Sequence, residues 1–416
     1  MNLCVVGLGY IGLPTSAVFA KHGHRVLGVD VVESVVETLN RGEIHIEEPG
    51  LGEEIKSAVE KGTFRAATKP EPADAFIIAV PTPNLEDGAC DLKYVLSGCE
   101  SILPVVKKGD VVIVESTIAP RSMDDYVKPL FEKAGYTIGE DLFLAHCPER
   151  VLPGQILHEL IYNNRIIGGI TPACTEAAAK VYGAVVKGEL LKTEAKTAEL
   201  SKCMENTFRD VNIALANELA KVCDKLDINC LDVIQMANKH PRVNILQPGP
   251  GVGGHCLAID PYFICAKVPE TAKIIKLARD TNCSMPAYVV EKTEMLLRGI
   301  ENPKIAAFGV TYKGDVDDMR ESPSMKIVEM LQAKGYHVAV HDPHVACPSF
   351  VSLGEAVEDA DIILILTDHS EFKNFDHAAA AKAMRTPQLF DTRNMVRPQE
   401  GSGLEIINYG NIYLKK

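Results

Sequence analysis

A glycine-rich stretch past the middle of the chain carries one cysteine and one carboxylate. Residues 248–263 read PGPGVGGHCLAIDPYF, in which Cys256 follows the glycines and Asp260 stands four residues later. Glycine lets a backbone approach a ligand closely, because no side chain stands in the way. A thiolate that adds to an aldehyde forms a thiohemiacetal, whose oxidation leaves a thioester for water to hydrolyse. The stretch therefore predicts covalent chemistry at Cys256.

A second motif with chemical meaning lies at the N-terminus. The turn GLGYIG at 7–12 follows the apolar run 3–6, and Asp30 ends the next apolar run about 20 residues later, as a dinucleotide-binding fingerprint requires. The first glycine permits the tight turn, the second admits the pyrophosphate, and the third lets helix and strand pack. Asp30 would bind the ribose hydroxyls and repel a 2′-phosphate, and no Arg or Lys follows it before Arg41. The motif predicts NAD rather than NADP.

The elements around these motifs predict an α/β fold. Apolar runs at 75–80 and 111–114 alternate with helical stretches, which is typical of a parallel sheet covered by helices on both faces. Residues 194–226 contain neither Gly nor Pro and predict one helix of about 50 Å, a length that favours a dimer. The α/β pattern returns at Lys304. We therefore expect two Rossmann-like doubly wound α/β domains joined by a central helical domain.

The composition excludes several classes of protein. The chain has 416 residues, of which 46% are hydrophobic, and a formal net charge of −13, which argues against a nucleic-acid surface. Its twelve cysteines are scattered, so most are expected to be buried thiols. No metal site is expected, because His337 and His341 would lie about 13 Å apart along a strand. The start of the chain lacks the pattern of a secretory leader and no apolar run reaches membrane-spanning length, which predicts a cytoplasmic protein.

Several longer motifs carry a resemblance to a known family. They are VPTP at 80–83, EST at 115–117, CPERVLPG at 147–154, ELSKCMENTFRDVNIALANE at 199–218, HPRVNILQPGPGVGGHCLAIDP at 240–261 and KGDVDDMRESP at 313–323. Together with the glycine turn, and in this order over almost the whole chain, they resemble the nucleotide-sugar 6-dehydrogenases, the family of UDP-glucose and GDP-mannose dehydrogenases. The resemblance implies oxidation of a sugar C6 alcohol to a carboxylate by two NAD, through a cysteine thioester.

The resemblance also assigns the residues of the two oxidations. Cys256 matches the nucleophile, and Lys202 matches the lysine that stabilises the negative oxygen during hydride transfer. Asn206 lies one helical turn after Lys202 and would be a second donor to that oxygen. Lys202 is also the expected source of the positive charge that favours the thiolate.

A further set of residues is assigned to hydrolysis. Asp260 and Thr117 match the residues that position water, and Glu149 matches the glutamate that acts as base. An ordinary ion pair between Glu149 and Arg150 is the alternative interpretation of that carboxylate.

The binding residues follow from the same motifs. The cofactor set is Gly7, Gly9, Tyr10, Ile11, Gly12, Asp30, Pro81, Thr82, Thr117 and Arg320. The substrate set is Glu149, Arg150, Val151, Lys202, Asn206, Arg209, Arg242, Asn244, Gly253 and Lys313. Arg242 has two alternatives, because its counterpart in relatives can reach the partner subunit's site. The implied domains are an NAD-binding domain at 1–190, a central helical and dimerisation domain at 191–302, and a UDP-sugar-binding domain at 303–416.

Two departures from the UDP-glucose branch bear on the substrate. That branch has a Phe-Leu pair where this chain has Arg150-Val151, and a Lys where this chain has Ile259. Both resemble the branch that acts on 2-acetamido sugars, so the expected reaction converts UDP-N-acetyl-D-mannosamine to the uronate. UDP-N-acetylglucosamine and UDP-glucose are the nearer alternatives. A single-step hydroxyacid dehydrogenase and a non-catalytic nucleotide-binding regulator are the distant ones, and neither explains residues 248–261.

Overall fold

The computed structural model describes residues 1–152 and 154–416. These residues form two compact units. The first unit comprises Met1–Glu205 and Tyr262–Pro269, and the second comprises Asn206–Pro261 and Glu270–Lys416.

An eight-stranded sheet forms the centre of the first unit. Its strands are β1 (Asn2–Val6), β2 (Arg25–Val29), β3 (Phe64–Ala67), β4 (Ala75–Ile78), β5 (Val111–Val114), β6 (Phe143–His146), β7 (Arg165–Gly169) and β8 (Leu190–Glu194). They lie in the order β3-β2-β1-β4-β5-β6-β7-β8. The first six positions follow the strand order of the dinucleotide-binding fold. All neighbouring strands are parallel except β6 and β7, which pair Ala145 with Gly169 and His146 with Gly168 in antiparallel register.

Helices cover both faces of this sheet. They are α1 (Gly12–Lys21), α2 (Glu33–Asn40), α3 (Leu51–Glu60), α4 (Lys93–Ile102), α5 (Lys128–Lys133, preceded by a π-helical turn at Met123–Val127), α6 (Ile156–Tyr162) and α7 (Pro172–Tyr182). Alternate residues of β1 fill two separate cores, with Leu3 and Val5 on one face and Cys4 and Val6 on the other. This is why residues 3–6 of β1 are all apolar rather than alternating with polar residues.

The second unit contains a five-stranded parallel sheet. Its strands are β9 (Lys304–Phe308), β10 (His337–His341), β11 (Ile362–Ile365), β12 (Gln388–Asp391) and β13 (Glu405–Asn408), in the order β10-β9-β11-β12-β13. This is the other common doubly wound order. Its helices are α13 (Pro323–Ala333), α14 (Leu353–Val357) and α15 (His377–Ala383), with single 3₁₀ turns at Ser370–Lys373 and Ile412–Lys415. The Ser322 hydroxyl accepts a hydrogen bond from Met325 N and caps α13, as the Ser-Pro pair predicts.

Along the chain, five helices lie between β8 and β9. The helices are α8 (Ala195–Lys225), α9 (Cys230–Ala237), α10 (Asp260–Lys267), α11 (Lys273–Cys283) and α12 (Met285–Leu296). The 31 residues of α8 give a rod of about 46 Å, so the prediction of one long helix is confirmed. A break at Ser284, two residues before Pro286, separates α11 from α12, as the proline indicates.

The predicted fold class is confirmed. Eight of the twelve cysteines are buried, as expected of small apolar side chains. Among the described residues, we find no helix that combines the length and the hydrophobicity of a membrane span. The predicted domain boundaries near 190 and 302 stay predictions.

Candidate active site

The glycine turn is built so that only its middle glycine faces open space. Gly7 has φ +94°, and a Cβ there would lie 2.4 Å from the Ala79 carbonyl oxygen. A Cβ on Gly12 would lie 1.9 Å from the carbonyl oxygen of Gly7, whereas one on Gly9 would meet nothing within 4 Å. The turn therefore leaves a cradle beside Gly9 at the N-terminus of α1, which is where a pyrophosphate binds in this motif.

Asp30 closes the other side of this turn. One of its carboxylate oxygens accepts a hydrogen bond from Leu8 N at 3.1 Å, and the other accepts one from Val32 N at 3.0 Å. The carboxylate is thereby fixed at the end of β2, next to the glycine turn. Its position and charge fit the ribose of NAD.

The other predicted residues of the first unit follow neighbouring strands. Pro81 and Thr82 follow β4, Thr117 follows β5 and Glu149 follows β6. Because the order of the sheet reverses between β1 and β4, the carboxyl ends of these strands border the crevice in which open α/β sheets bind ligands. Within this unit the structure thus brings the predicted cofactor residues to one edge.

A buried ion-pair chain stands behind Glu149. Arg165 Nη1 donates to Glu149 Oε2 at 2.6 Å, and Arg165 Nη2 donates to Glu115 Oε1. Tyr182 places its ring 4.0 Å from the Arg165 guanidinium carbon and donates its hydroxyl to Glu115 at 3.2 Å. Burial raises the pKa of Glu115 to about 7, because one guanidinium cannot offset both carboxylates where water is excluded.

The alternative pairing of Glu149 with the Arg150 side chain is wrong. The Arg150 guanidinium instead binds Glu205, with Nη2 2.7 Å from Oε1, while the Arg150 backbone N donates to Glu149 Oε1 at 2.6 Å. Sequence reasoning missed Arg165, Glu115 and the role of Tyr182. A charged residue opening the apolar stretch RIIGG was the available signal for Arg165.

Lys202 and His146 also belong to this part of the first unit. Burial, together with the nearby positive charges of Arg165 and Lys202, lowers the pKa of His146 to about 3. His146 Nδ1 is 2.9 Å from the Val114 carbonyl oxygen, so it is the donor in the neutral ring. Lys202 is half-buried on α8, one turn before Asn206, as predicted.

In the second unit the glycine stretch packs against the loop that follows β9. A Cβ on Gly253 would lie 2.3 Å from the Glu321 carbonyl oxygen, and one on Gly254 would lie 2.7 Å from the Tyr312 ring. Gly254 also has φ +81°. These glycines are therefore needed for close backbone packing within the protein, in addition to the ligand approach predicted for them.

The residues after the glycines form one turn. The Cys256 carbonyl oxygen accepts hydrogen bonds from Ile259 N at 3.1 Å and Asp260 N at 2.9 Å, and the Cys256 residue is exposed. Asp260 begins α10 and is buried, where its Oδ2 accepts a hydrogen bond from Asn206 Nδ2 at 2.5 Å. The structure thus brings Asn206 and Asp260, which were assigned to different steps, into contact. One amide hydrogen of Asn206 binds Asp260 rather than a ligand.

A buried polar chain anchors the start of the glycine stretch, and sequence reasoning missed it. Gly249 N donates to Asn217 Oδ1 at 2.8 Å, and Asn217 Nδ2 donates to Asn282 Oδ1 at 2.8 Å. Asn282 in turn donates to Asp210, which also pairs with Arg279 at 2.5 Å. Four polar residues at buried positions of predicted helices were the available signal.

The predicted phosphate ligands of the second unit lie apart along the chain. Lys313 and Arg320 lie in the loop after β9, beside the point where the strand order reverses. Arg320 forms two hydrogen bonds with Asp318, at 2.9 and 2.7 Å. Arg393, which sequence reasoning missed, follows β12 and pairs with Asp368 at 2.5 Å. The remaining predicted substrate residues of this unit, Arg209, Arg242 and Asn244, are exposed.

One group of potential metal ligands is present at the same sheet. Ligand atoms of Asp315, His344, His369 and Glu371 lie within 4.8 Å of one another. However, His369 Nδ1 accepts from Asp315 N at 2.9 Å, and its Nε2 is 3.1 Å from Asp342 Oδ2. Because both ring nitrogens of His369 are engaged by the protein, we assign no metal to this group.

Comparison with known proteins identifies one family over most of the chain. The UDP-glucose/GDP-mannose dehydrogenase family models match as NAD binding domain over residues 1–186, central domain over 196–284 and UDP binding domain over 306–398. The chain is 49% identical, over 95% of its length and 93% of the relative, to UDP-N-acetyl-D-mannosamine dehydrogenase of Methanococcus maripaludis. It is 45% identical, over 95% of its length and 96% of the relative, to NDP-N-acetyl-D-galactosaminuronic acid dehydrogenase of Ralstonia nicotianae.

A solved structure extends the match to three dimensions. The UDP-N-acetyl-mannosamine dehydrogenase of Staphylococcus aureus superposes with a TM-score of 0.94, is 55% identical and covers all of both chains. With the glycine turn, the strand order and the Cys256 loop in place, the chain belongs to the UDP-glucose/GDP-mannose dehydrogenase family and is an NAD-dependent enzyme.

Proposed function

We propose that this enzyme oxidises C6 of UDP-N-acetyl-D-mannosamine from the alcohol to the carboxylate. The proposal is supported by the names of the relatives at 49% and 55% identity and by the Arg150-Val151 and Ile259 residues. The balanced reaction consumes one sugar alcohol, one water and two NAD⁺, and it yields one carboxylate, two NADH and three protons. NAD, when bound, accepts a hydride in each of the two oxidations.

Cys256 connects the two oxidations. Its thiolate adds to C6 of the aldehyde, forming a carbon–sulfur bond, and loss of a hydride from this adduct leaves a thioester. The exposed position of Cys256 after a stretch without bulky side chains is the observation that carries the proposal. A simple alcohol dehydrogenase needs no such nucleophile.

Lys202 and Asn206 are proposed to stabilise the negative oxygen on C6. Removing one donor to a developing oxyanion commonly costs about 3 kcal/mol of transition-state stabilisation. The contact of Asn206 with Asp260 orients its amide, which supports this role.

Hydrolysis releases the product. Water, positioned by Thr117 and Asp260, attacks the thioester carbon, the carbon–sulfur bond breaks, and the electron pair returns to Cys256 as the thiolate. Glu149 takes a proton from the attacking water. Its nearly complete burial and its two fixed oxygens support the role of a base held in one orientation.

A substrate panel tests the proposed reaction. Purified enzyme is offered the UDP-activated N-acetyl-mannosamine, N-acetyl-glucosamine, N-acetyl-galactosamine and glucose, and NADH is counted per sugar consumed. We expect two NADH per sugar and the highest kcat/KM for the manno sugar. The galacto sugar is included because of the Ralstonia relative. One NADH per sugar, with an aldehyde as end product, would disprove the covalent mechanism.

We further propose that the active form is a dimer that operates in the cytoplasm. Large apolar side chains are exposed at helical spacing along α8, namely Leu200, Met204, Phe208, Leu215 and Val222. A stripe of this kind is typical of a helix that buries one face against another chain.

A further inference from the structure

Both carboxylate oxygens of Glu149 are held by residues of its own unit. Oε1 accepts from Arg150 N at 2.6 Å and Oε2 accepts from Arg165 Nη1 at 2.6 Å. The Glu149 side chain is only 10% exposed. Its plane and its rotamer are therefore fixed before any substrate arrives, and the outer lone pairs are the ones left to bind water.

Arg165 is itself immobilised from three directions. Its Nη2 donates to Glu115 Oε1 and to the Cys147 carbonyl oxygen at 3.2 Å, while the Tyr182 ring covers its flat face. Glu115 is fully buried and also accepts from Thr15 Oγ1 at 3.2 Å. The guanidinium is planar and both of its terminal nitrogens form hydrogen bonds, so it holds Glu149 in one orientation. A lysine has a single nitrogen and could not do so.

Several titratable groups surround the pair formed by Glu149 and Arg165. The groups that face the pair are Glu115 after β5, the neutral His146 at the end of β6, Cys147 after it, and Tyr182 on α7, while Lys202 on α8 acts on His146. Burial raises the pKa of Glu115, so this carboxyl group carries less negative charge than it would in water, and burial raises the pKa of Tyr182 and of Cys147, which stay neutral. The positive charge of Arg165 is thereby left more available to Glu149.

We propose that Arg165 is a positioning residue for thioester hydrolysis, and that Glu115 holds it in place. This rests on the proposed function, in which Glu149 accepts the proton of the attacking water while the thiolate of Cys256 leaves. Arg165 orients the accepting carboxylate through the hydrogen bond from its Nη1 to Glu149 Oε2. It contributes to neither hydride transfer, so its loss slows only the last chemical step.

Pre-steady-state kinetics separates these steps. Arg165→Met, the double variant Arg165→Met with Glu115→Gln, and Arg165→Lys are compared with the native enzyme and with Arg65→Met. Arg65 pairs with Glu71 on the surface of the same unit and is the matched control. Rapid mixing with saturating NAD and sugar records the two NADH formed before hydrolysis and the steady rate after it, and intact mass measures the enzyme thioester.

In Arg165→Met we expect the first two NADH at the native rate, a steady rate about 10- to 100-fold lower, and accumulation of the thioester. Arg165→Lys retains the charge but not the fork, so its steady rate also falls and the thioester also accumulates. The control variant behaves as the native enzyme.

The double variant is the control for an effect of the substitution on folding. Arg165→Met leaves the buried Glu115 without its partner, whereas the double variant removes both charges and has the same expected kinetics. Equal slowing of the NADH burst and of the steady rate in any folded variant would overturn the proposal. If the native enzyme forms no acid, or if Glu149→Gln accumulates no thioester, the proposed function fails instead.

Discussion

At the scale of single residues, burial sets the charge of Glu115. Its ordinary pKa of 4.5 rises to about 7, chiefly through burial, with the negative charge of Glu149 adding to the effect. A carboxyl group with a raised pKa in the folded state binds its proton more tightly there than in the unfolded chain. The folded state therefore loses stability as the pH rises from about 4.5 through about 7.

Glu115→Gln should remove this dependence. Its free energy of unfolding is expected to stay flatter than that of the native enzyme between about pH 4.5 and 7, the window set by the raised pKa of Glu115. Denaturant melts at several pH values measure it, with Glu132→Gln on the surface as control. Parallel curves for Glu115→Gln and the native enzyme would contradict the expectation.

Cys256→Ala tests the nucleophile. Acid formation should fall at least about 1,000-fold, because no thioester can form, while the affinity for NAD stays unchanged since the glycine turn is intact. Formation of acid is followed by mass spectrometry and NAD binding by calorimetry. Cys347→Ala, a half-buried cysteine of the same unit, should retain native activity. Normal acid formation in Cys256→Ala would refute the assignment.

Residue types in motifs could be predicted, but their partners could not. Gly7, Gly12 and Cys256 could be predicted from the sequence alone. The two glycines stand in a recognisable turn motif, and the cysteine directly follows a glycine-rich stretch. Arg165 and Glu115 are far apart along the chain, and only the folded sheet brings them together. For the same reason the alternative interpretation of Glu149 named Arg150, whereas its side-chain partner in the structure is Arg165.

At the scale of elements, different glycines of the turn at 7–12 serve the stability of the fold and the binding of NAD. Gly9→Ala should change the free energy of unfolding by less than about 0.5 kcal/mol, because its Cβ meets nothing within 4 Å, yet weaken NAD binding about tenfold or more. Gly12→Ala should destabilise the fold by about 1–3 kcal/mol, because its Cβ would overlap the Gly7 carbonyl. Thermal melts and calorimetry measure both, and equal loss of stability in the two variants would contradict this reading.

Strands and the long helix were predictable because their apolar patterns are local. The order of the strands and the reversal of β7 were not, since pairing joins segments that are distant along the chain. The glycine stretch at 248–254 was expected to face a ligand, and its contacts with Tyr312 and Glu321 emerged only from the structure.

At the scale of the whole molecule, the exposed stripe on α8 predicts the oligomeric state. The double variant Leu215→Asp with Val222→Asp should sediment at about half the native mass, because charges on that face prevent burial against a second chain. Leu414→Asp, which replaces an exposed leucine outside α8, is the control. A monomeric native enzyme, or a variant of unchanged mass, would argue against this surface as the interface.

The antiparallel pairing of β7 with β6 determines which residue of β7 lies opposite Glu149. Since His146 pairs with Gly168 on antiparallel strands, three steps forward from one and three steps back from the other lead to Glu149 and Arg165. The antiparallel register therefore places Glu149 and Arg165 opposite each other, where the chain has left β6 and where it enters β7. A one-residue deletion inside β7 would instead slide Asn164 to that place and put an uncharged amide where the guanidinium belongs.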